Sequence, residues 1–477
     1  MRFLPFIAAC ILIALNTTPA RSQVHFEAET QLLTATEGTL PFWLHSNRFG
    51  MVDASSSNGL LRLQSTKPYE GSGLFDWSAG VEVLGRASDH STAHLNQAYL
   101  KARYGAFELS GGRERLRLGM YQSTLTSGPF QYSGNTTPIP QIRFGIPDFS
   151  PVPFTDGYLQ VKGWLSHGWL EDDRWVSGAY LHQKAGYIKV VFPYVPVKGF
   201  AGLLHSAQWG GVDPDRGRLP SGLDDYKDIF FGNAGDESAP KSGQLNVLGN
   251  HLGLWEVGGW FDFGTWNLFL QKTFPFEDGS GLAMRTPEDG LWGATLYRND
   301  RHPVETILYE FYYTKSQSGP GPSDPPPGYD QPNDPRGNPF GGRDNYFNNG
   351  IYADDWSYGG RIIGSPFFTY VDGNQNNPGR VINNRFIAHH IAIGGYLSNI
   401  PLDYEAAYSF TRNYGVYGHY TTSIDPPKEQ HSIYLDLKTP FPGEKRITLK
   451  SRIAFDIGEM FPDNAGMMLG AEFMMDD

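Results

Sequence analysis

Apolar and polar residues alternate over long stretches of this chain, and the stretch from Leu95 to Gly119 is one of them. Between Gln97 and Tyr104, residues Ala98, Leu100 and Ala102 alternate with polar or charged positions. An extended strand points successive side chains to opposite faces, so this stretch predicts one apolar and one charged face.

The second half of the same stretch repeats the pattern with a change of phase. Leu116 and Leu118 alternate with arginines, and the alternation predicts that both leucines share the apolar face of a strand. Phe107 and Leu109 have the opposite parity, so the intervening glycine pair is predicted either to end a strand or to absorb a one-residue bulge.

The alternation recurs in four later segments, at 305–314, 432–438, 446–456 and 467–475. Strands of about ten residues with this alternation are typical of outer-membrane barrels, whereas strands of soluble sandwiches are usually shorter. We therefore predict an all-β fold, a large transmembrane antiparallel β-barrel of roughly 16–18 strands with short helical elements closing the lumen.

The segments between these strands predict long loops and few helices. Gln317–Asn349 is so rich in proline and glycine that neither a ladder nor a helix is expected, which favours a loop at the cell surface. Gly222–Phe231 has apolar residues at helical spacing, and Ser221 with Asp224 three residues on would cap it, which predicts a short amphipathic helix.

The amino terminus predicts export. Residues 1–22 contain Arg2, an apolar run and a small-residue cleavage site, which indicates a signal peptide, and 23–477 then form one barrel domain. Cys10, the only cysteine, lies in the signal, so no disulfide is expected. The formal net charge of −12 argues against a nucleic-acid partner.

Several motifs together resemble the Wzi-type capsule-assembly family of outer-membrane β-barrels. The resemblance spreads over most of the chain and is carried by five stretches, Leu40–Gly50, Ser123–Phe149, Ala179–Lys184, His205–Gly211 and Gly342–Gly360. Members of this family tend to carry an aromatic–glycine pair after the arginine-rich strand, where this chain has Gly119, Met120 and Tyr121 instead.

The resemblance implies a single barrel, closed by helical elements at the periplasmic end, that holds capsular or extracellular polysaccharide on the bacterial outer membrane. It implies a lectin-like, non-catalytic protein without a cofactor. The remaining expected partner is outer-membrane lipid, and the expected oligomeric state is a monomer. The alternative function is a substrate-specific porin in which charged side chains line an open path.

Charged residues on the polar faces of the strands offer two interpretations. They could bind an acidic polysaccharide, because guanidinium groups match carboxylates in a bidentate fashion. They could instead pair with Glu108, Asp456 and Glu472 to keep the interior polar and occluded, which is the interpretation that we favour. The expected lumen charges are Lys101, Arg103, Arg115, Arg117, Lys450 and Arg452.

A carbohydrate site needs aromatic faces with amide and carboxylate groups around them. The longest loop and its flank supply such a set, and we predict glycan contacts from Arg343, Asp344, Asn345, Tyr346 and Trp356. The alternative is that the aromatics pack the loop and that the short polar residues form turns. No catalytic or metal constellation is found in the sequence, since His389 and His390 would point to opposite faces of a strand.

Overall fold

The computed structural model describes residues 24–71, 73–245, 247–277, 279–282, 284, 286–317, 344–373, 377–416 and 424–476. The predicted signal peptide at 1–22 lies outside these residues. Among them, no helix is both long and apolar enough to cross a membrane.

Eighteen strands form one large sheet. The first nine are β1 (His25–Thr39), β2 (Ser55–Lys67), β3 (Phe75–Ala87), β4 (Thr92–Tyr104), β5 (Phe107–Arg113), β6 (Pro140–Pro151), β7 (Leu159–Trp169), β8 (Tyr180–Val191) and β9 (Val197–Trp209). The other nine are β10 (Asn250–Asp262), β11 (Asn267–Phe276), β12 (Gly290–Tyr297), β13 (Thr306–Tyr313), β14 (Phe386–Leu397), β15 (Leu402–Asn413), β16 (Lys428–Phe441), β17 (Glu444–Gly458) and β18 (Asn464–Asp476).

Each strand pairs antiparallel with its neighbours in sequence, and the last strand pairs with the first. The closing register runs from His25 opposite Asp476 to Ala35 opposite Gly466. Closure leaves no open edge of the sheet, which a strand in lipid requires. The predicted fold class, a large closed antiparallel barrel, is confirmed.

The connections differ greatly in length between the two ends of the barrel. At the end that holds both termini they run from 105–106 at the shortest to 298–305 at the longest. At the other end they include 114–139, 210–249 and 314–385. Outer-membrane barrels have short periplasmic turns and long outer loops, so we assign the short-turn end to the periplasm and the long-loop end to the cell surface.

The outer face of the barrel is apolar. Leu32 is 71% exposed and lies opposite Leu469 in the closing pair of strands. Leu100 also points outwards, as its parity predicts, but a bulge precedes it because Glu82 pairs with Gln97 while Val83 pairs with Leu95. The extra residue, Asn96, lets Leu95 and Leu100 share the outer face despite their opposite parity.

The prediction for Leu116 and Leu118 is wrong. β5 ends at Arg113, and Gly112 has a φ of 124° with no room for a Cβ, which would lie 2.1 Å from the carbonyl oxygen of Ala98. The chain then enters the lumen, where Leu118 is 4% exposed and bridges Tyr132. The local alternation continues there although the strand does not.

Three long connections fold into the lumen at the long-loop end, and we call them the plug: 40–54, 114–139 and the described part of 344–385. Aromatic rings pack its centre. Phe42 stacks on Phe367 at 5.8 Å, and Phe347 lies 4.2 Å from Phe368, both measured between ring centroids. The plug is bonded to the wall through Glu310 of β13, which accepts from Thr126 at 2.5 Å and from the Ser127 amide at 2.9 Å.

The described residues contain four short helices, all of them in long connections: α1 (Phe42–His45), α2 (Leu223–Phe231), α3 (Lys241–Leu245) and α4 (Gly279–Leu282). All four lie in connections of the long-loop end, and α1 belongs to the plug. The described helices therefore do not close the barrel at the periplasmic end, where the family resemblance had placed them. α2 confirms the predicted helix, but its N-cap is Gly222, whose amide donates to Asp225 at 2.6 Å, in place of Ser221.

α2 lies outside the barrel and does not close the lumen. Ile229 packs on Ala207 and Trp209, both of which point outwards from β9. The carbonyl oxygen at Phe230, near the carboxyl end of α2, accepts a hydrogen bond from the ammonium group of Lys184, another outward residue. The helix therefore covers a polar patch on an otherwise apolar outer surface.

Candidate functional site

One side of the lumen holds a network of ion pairs, which we call the paired network: Glu27, Glu29, Arg62, Glu82, Lys450 and Glu472. The Arg62 guanidinium contacts Glu29 at 2.8 Å and Glu472 at 3.0 Å. The Lys450 ammonium contacts the same two carboxylates at 2.8 Å and 2.9 Å. Charges on five neighbouring strands thereby satisfy one another inside the barrel.

The other predicted lumen charges also lie inside the barrel and have protein partners. Lys101 pairs with Glu114 at 2.6 Å, and Arg103 pairs with Glu108 at 3.0 Å. Arg452 pairs with Asp436, Arg115 with Glu82, and Arg117 donates to the Ser133 carbonyl oxygen at 3.0 Å. Asp456, an expected ion-pair partner, instead accepts from the Phe42 amide at 2.8 Å.

The predicted glycan contacts lie largely inside the plug. Tyr346 is 0% and Trp356 1% exposed, so neither ring presents a face on which a sugar could stack. Tyr346 donates its hydroxyl to Asp289 at 3.0 Å, and Asn345 accepts from Asn348 and Asn384. Asp344 is buried, and Arg343 lies outside the described residues. These aromatics pack the loop, which corrects the stacking role predicted for them.

An open cleft of about 940 Å³ lies at the long-loop end, between the plug and the wall. Strands β3 and β4 contribute Arg86 and His94. The plug contributes Arg361, Tyr370 and Asp372, and the connection before β18 contributes Phe461. Its volume falls within the range of small-molecule sites.

Two guanidinium groups of the cleft are bound by carbonyl oxygens instead of carboxylates. Arg361 donates to the carbonyl oxygens of His45 at 3.0 Å and Val52 at 2.5 Å, while Arg86 donates to that of His90 at 3.0 Å. Among the residues with described positions, no carboxylate lies within ion-pair distance of either group. Both cations therefore keep charge available to a ligand.

Burial and repulsion between neighbouring cations determine the protonation states of Arg361 and His45. Burial, with repulsion from Arg86, lowers the pKa of Arg361 to about 10, so its guanidinium is still charged at neutral pH. Burial, with repulsion from Arg361, lowers the pKa of His45 to about 3, so its imidazole is neutral there.

The cleft also offers rings and free polar atoms. Tyr370 and Phe461 are each partly exposed, and Phe461 is supported from behind by stacking on Phe42 at 6.0 Å. Asp372 is exposed, and Nε2 of His94 has no hydrogen-bond partner among the described residues. Aromatic faces beside donors and acceptors suit a ligand that is rich in hydroxyl groups.

Sequence reasoning missed the individual cleft residues, although a signal for the region existed. Three of the stretches that carry the family resemblance contribute to the lining, through His45, Asn135 and Gly359. Arg86, Tyr370 and Phe461 lie outside those stretches and come from separate parts of the chain. In the described part of the chain, no group of three or more His, Cys, Asp or Glu side chains is arranged to hold a metal ion.

Comparison with known proteins agrees with this architecture. No family model and no curated protein matches the sequence. Wzi of Escherichia coli, an outer-membrane protein involved in group 1 capsule assembly and described as a carbohydrate-binding β-barrel, matches 98% of this chain and 88% of its own, with 14% identity and a TM-score of 0.56. The chain has the fold of Wzi.

Porins of similar size also match, at lower similarity. OccK5 of Pseudomonas aeruginosa matches 95% of this chain and 98% of its own with 10% identity and a TM-score of 0.47, and OccK3 matches 97% and 98% with 12% identity and the same score. The match to Wzi confirms the predicted resemblance at the level of the fold. Sequence identities of this size do not identify a ligand.

Proposed function

We propose that the protein binds capsular or extracellular polysaccharide in the cleft and so holds the polymer at the surface of the outer membrane, without turnover. The observation that carries this proposal is the cleft itself, where Tyr370, Phe461 and two carbonyl-bound guanidinium groups face the long-loop end. The shared fold with Wzi supports the same class of ligand.

The plug favours surface binding over transport. Its packed aromatic centre and its bonds to Glu310 occupy the lumen at the end where a porin would open to the outside. A porin remains the rival function, because charged side chains line the lumen below the plug. Conductance of the purified protein in a planar bilayer separates the two, since a steady open channel would contradict the proposal.

Binding of the purified barrel to the producing cell's own polysaccharide tests the cleft directly. Tyr370→Ala and Arg86→Gln should each weaken binding by about tenfold, because one removes a stacking face and the other a charged donor. Tyr194→Ala and Arg446→Gln are the matched controls, since both residues are exposed outside the cleft. Equal binding by the cleft and control variants would contradict the proposal.

Deletion of the protein tests anchoring in the cell. A long polymer that meets many copies of a weak site is retained by avidity, so cells without the protein should make and export polysaccharide but shed it into the medium. Capsule thickness and polymer in the culture supernatant are the measurements. Loss of synthesis, or a normal capsule, would rule out the anchoring role.

A further inference from the structure

A second group of charges inside the barrel forms no ion pair with any carboxylate that the structure describes. Lys162 of β7, Lys189 of β8 and Lys198 of β9 point into the lumen, on the same face as the buried Tyr187 and Phe200. We call these three lysines the basic row. They lie nearer the short-turn end, below the plug.

The strand register brings the three lysines together. Lys162 lies opposite Tyr187, two residues from Lys189 on the next strand, and Lys189 lies opposite Phe200, two residues from Lys198. Such diagonal neighbours lie about 7–8 Å apart, close enough for long side chains to interact. The row therefore forms a diagonal line of like charges across three strands.

Aromatic rings lie beside two of these cations. The Lys189 ammonium lies 4.4 Å from the Phe149 ring centroid, and the Lys162 ammonium lies 5.6 Å from that of Trp164. Within the described ranges, no carboxylate lies at ion-pair distance from any of the three lysines. A cation–π contact stabilises an ammonium group but does not neutralise it.

The carboxylates on this side of the lumen are occupied elsewhere. Glu256 accepts from the Met120 amide at 3.0 Å and from the Tyr187 hydroxyl. Asp148 pairs with Arg103 at 3.2 Å, and Asp262 accepts from the Gly264 amide at 2.7 Å. Three neighbouring positive charges thus persist in a chain whose formal net charge is −12.

A chamber of about 380 Å³ begins at this row. Lys162, Trp164 and Arg143 line it from the wall, while Arg117, Met120 and Tyr121 line it from the plug above. Arg143 lies 3.6 Å and 3.8 Å from two glutamates, whereas Arg117 donates to a carbonyl oxygen and lies over the Phe49 ring. Towards the short turns, Lys189 is partly exposed and Lys198 is exposed, so the row leads from that rim to the chamber.

We propose that the basic row and this chamber bind an acidic oligosaccharide, a segment of glycan whose sugars carry carboxylate groups, from the periplasmic side. The repeated positive charges match a repeated negative charge, and Trp164 supplies an aromatic surface beside them. The plug closes the lumen above, so this is a binding site and not a conduction path. The inference takes from the proposed function only that the ligand is a glycan.

Titration of the purified full-length protein in detergent with tri-galacturonate tests the inference, with maltotriose as the neutral probe and inorganic phosphate as the simple anion. The wild type should bind tri-galacturonate in a salt-dependent manner and neither of the other two comparably. The triple variant Lys162→Gln, Lys189→Gln, Lys198→Gln should lose about tenfold or more in affinity. A control with Lys227→Gln, Lys438→Gln and Lys445→Gln removes three charges outside the row and should bind as the wild type does.

Two results would overturn the proposal: phosphate binding as tight as that of tri-galacturonate, which would indicate a simple anion site, or no tri-galacturonate binding by the wild type. Heat-modifiable migration on a gel checks that each variant is a closed barrel. Tyr370→Ala should leave tri-galacturonate binding unchanged while it weakens binding of the cell's own polymer. The cleft and the basic row can therefore fail separately.

Discussion

The paired network and the basic row occupy the same lumen, but they differ in their partners: the first consists of ion pairs and the second of cations without described ion pairs. Arg62 contacts several carboxylates and Lys450 contacts two, whereas Lys162 and Lys189 of the basic row contact aromatic rings. Charges that satisfy one another stabilise a particular arrangement of strands. Charges left without counterions add repulsion to the folded state, so their retention is better explained by a ligand than by the fold.

The largest expected effect comes from breaking the paired network. Arg62→Gln leaves Glu29, Glu82 and Glu472 close together with one cation fewer, and we expect a loss of about 3–5 kcal/mol in the free energy of unfolding. Urea titration followed by the shift between folded and unfolded gel bands measures it. Lys198→Gln in the basic row is the matched control, and equal destabilisation by both variants would remove the contrast.

A charge introduced on the outer face should lower the free energy of unfolding by less than the loss of Arg62 does. Leu100→Arg places a cation on the lipid side of β4, and near the bilayer midplane this should cost about 2–4 kcal/mol, with less nearer the interface. The same titration in lipid vesicles provides the value. Leu118 lies in the plug, so Leu118→Arg disturbs packing and its cost should not depend on the lipid. If the cost of both variants depended on lipid in the same way, the assignment of Leu100 to the outer face and Leu118 to the plug would be contradicted.

Acidification should destabilise the plug while the strands of the barrel stay paired. The pKa of His45 is lowered to about 3 by burial and by Arg361, so its contribution to stability is complete above its ordinary value of 6.5 and is lost as the pH falls from 6.5 towards 3. Hydrogen exchange of residues 40–54 should rise over that range more than exchange in β17 and β18. His45→Gln should flatten the dependence, and an unchanged profile would show that another group is responsible.

The smallest effect is expected in the basic row. Because no described carboxylate lies at ion-pair distance from its lysines, the triple glutamine variant should change the free energy of unfolding by no more than about 0.5 kcal/mol in either direction. A clear loss would mean that the lysines hold the barrel together, and the case for a ligand at this row would weaken.

Much of the barrel could be predicted from alternation, because strand periodicity is a local property. The segments 305–314 and 446–456 form β13 and β17 with their apolar residues outward, as their parity predicts. The pattern could not show where a strand stops. Leu118 keeps the same alternation in the plug, where Gly112 has already turned the chain away from the wall.

The candidate sites depended on contacts between distant parts of the chain. The loop around Tyr346 and Trp356 contains residues suited to sugars, but both rings are buried in the core of the plug, where Tyr346 lies 6.4 Å from the Phe130 ring centroid. Tyr370 lies 14 residues beyond Trp356 in the same connection and is partly exposed in the cleft. Residue type alone could not distinguish the two positions, since both are aromatic residues of one loop.

The sequence by itself determined the closed sheet, its two faces and the charged interior, because an alternation of period two fixes which side chains share a face. Only the tertiary structure decided which charges are neutralised, since Lys162, Lys189 and Lys198 meet through the register of three strands. It also decided that Lys184, on the outer face of β8, is covered by α2. The physical reason is that local pattern sets the direction of a side chain, whereas its partners are set by how distant segments pack.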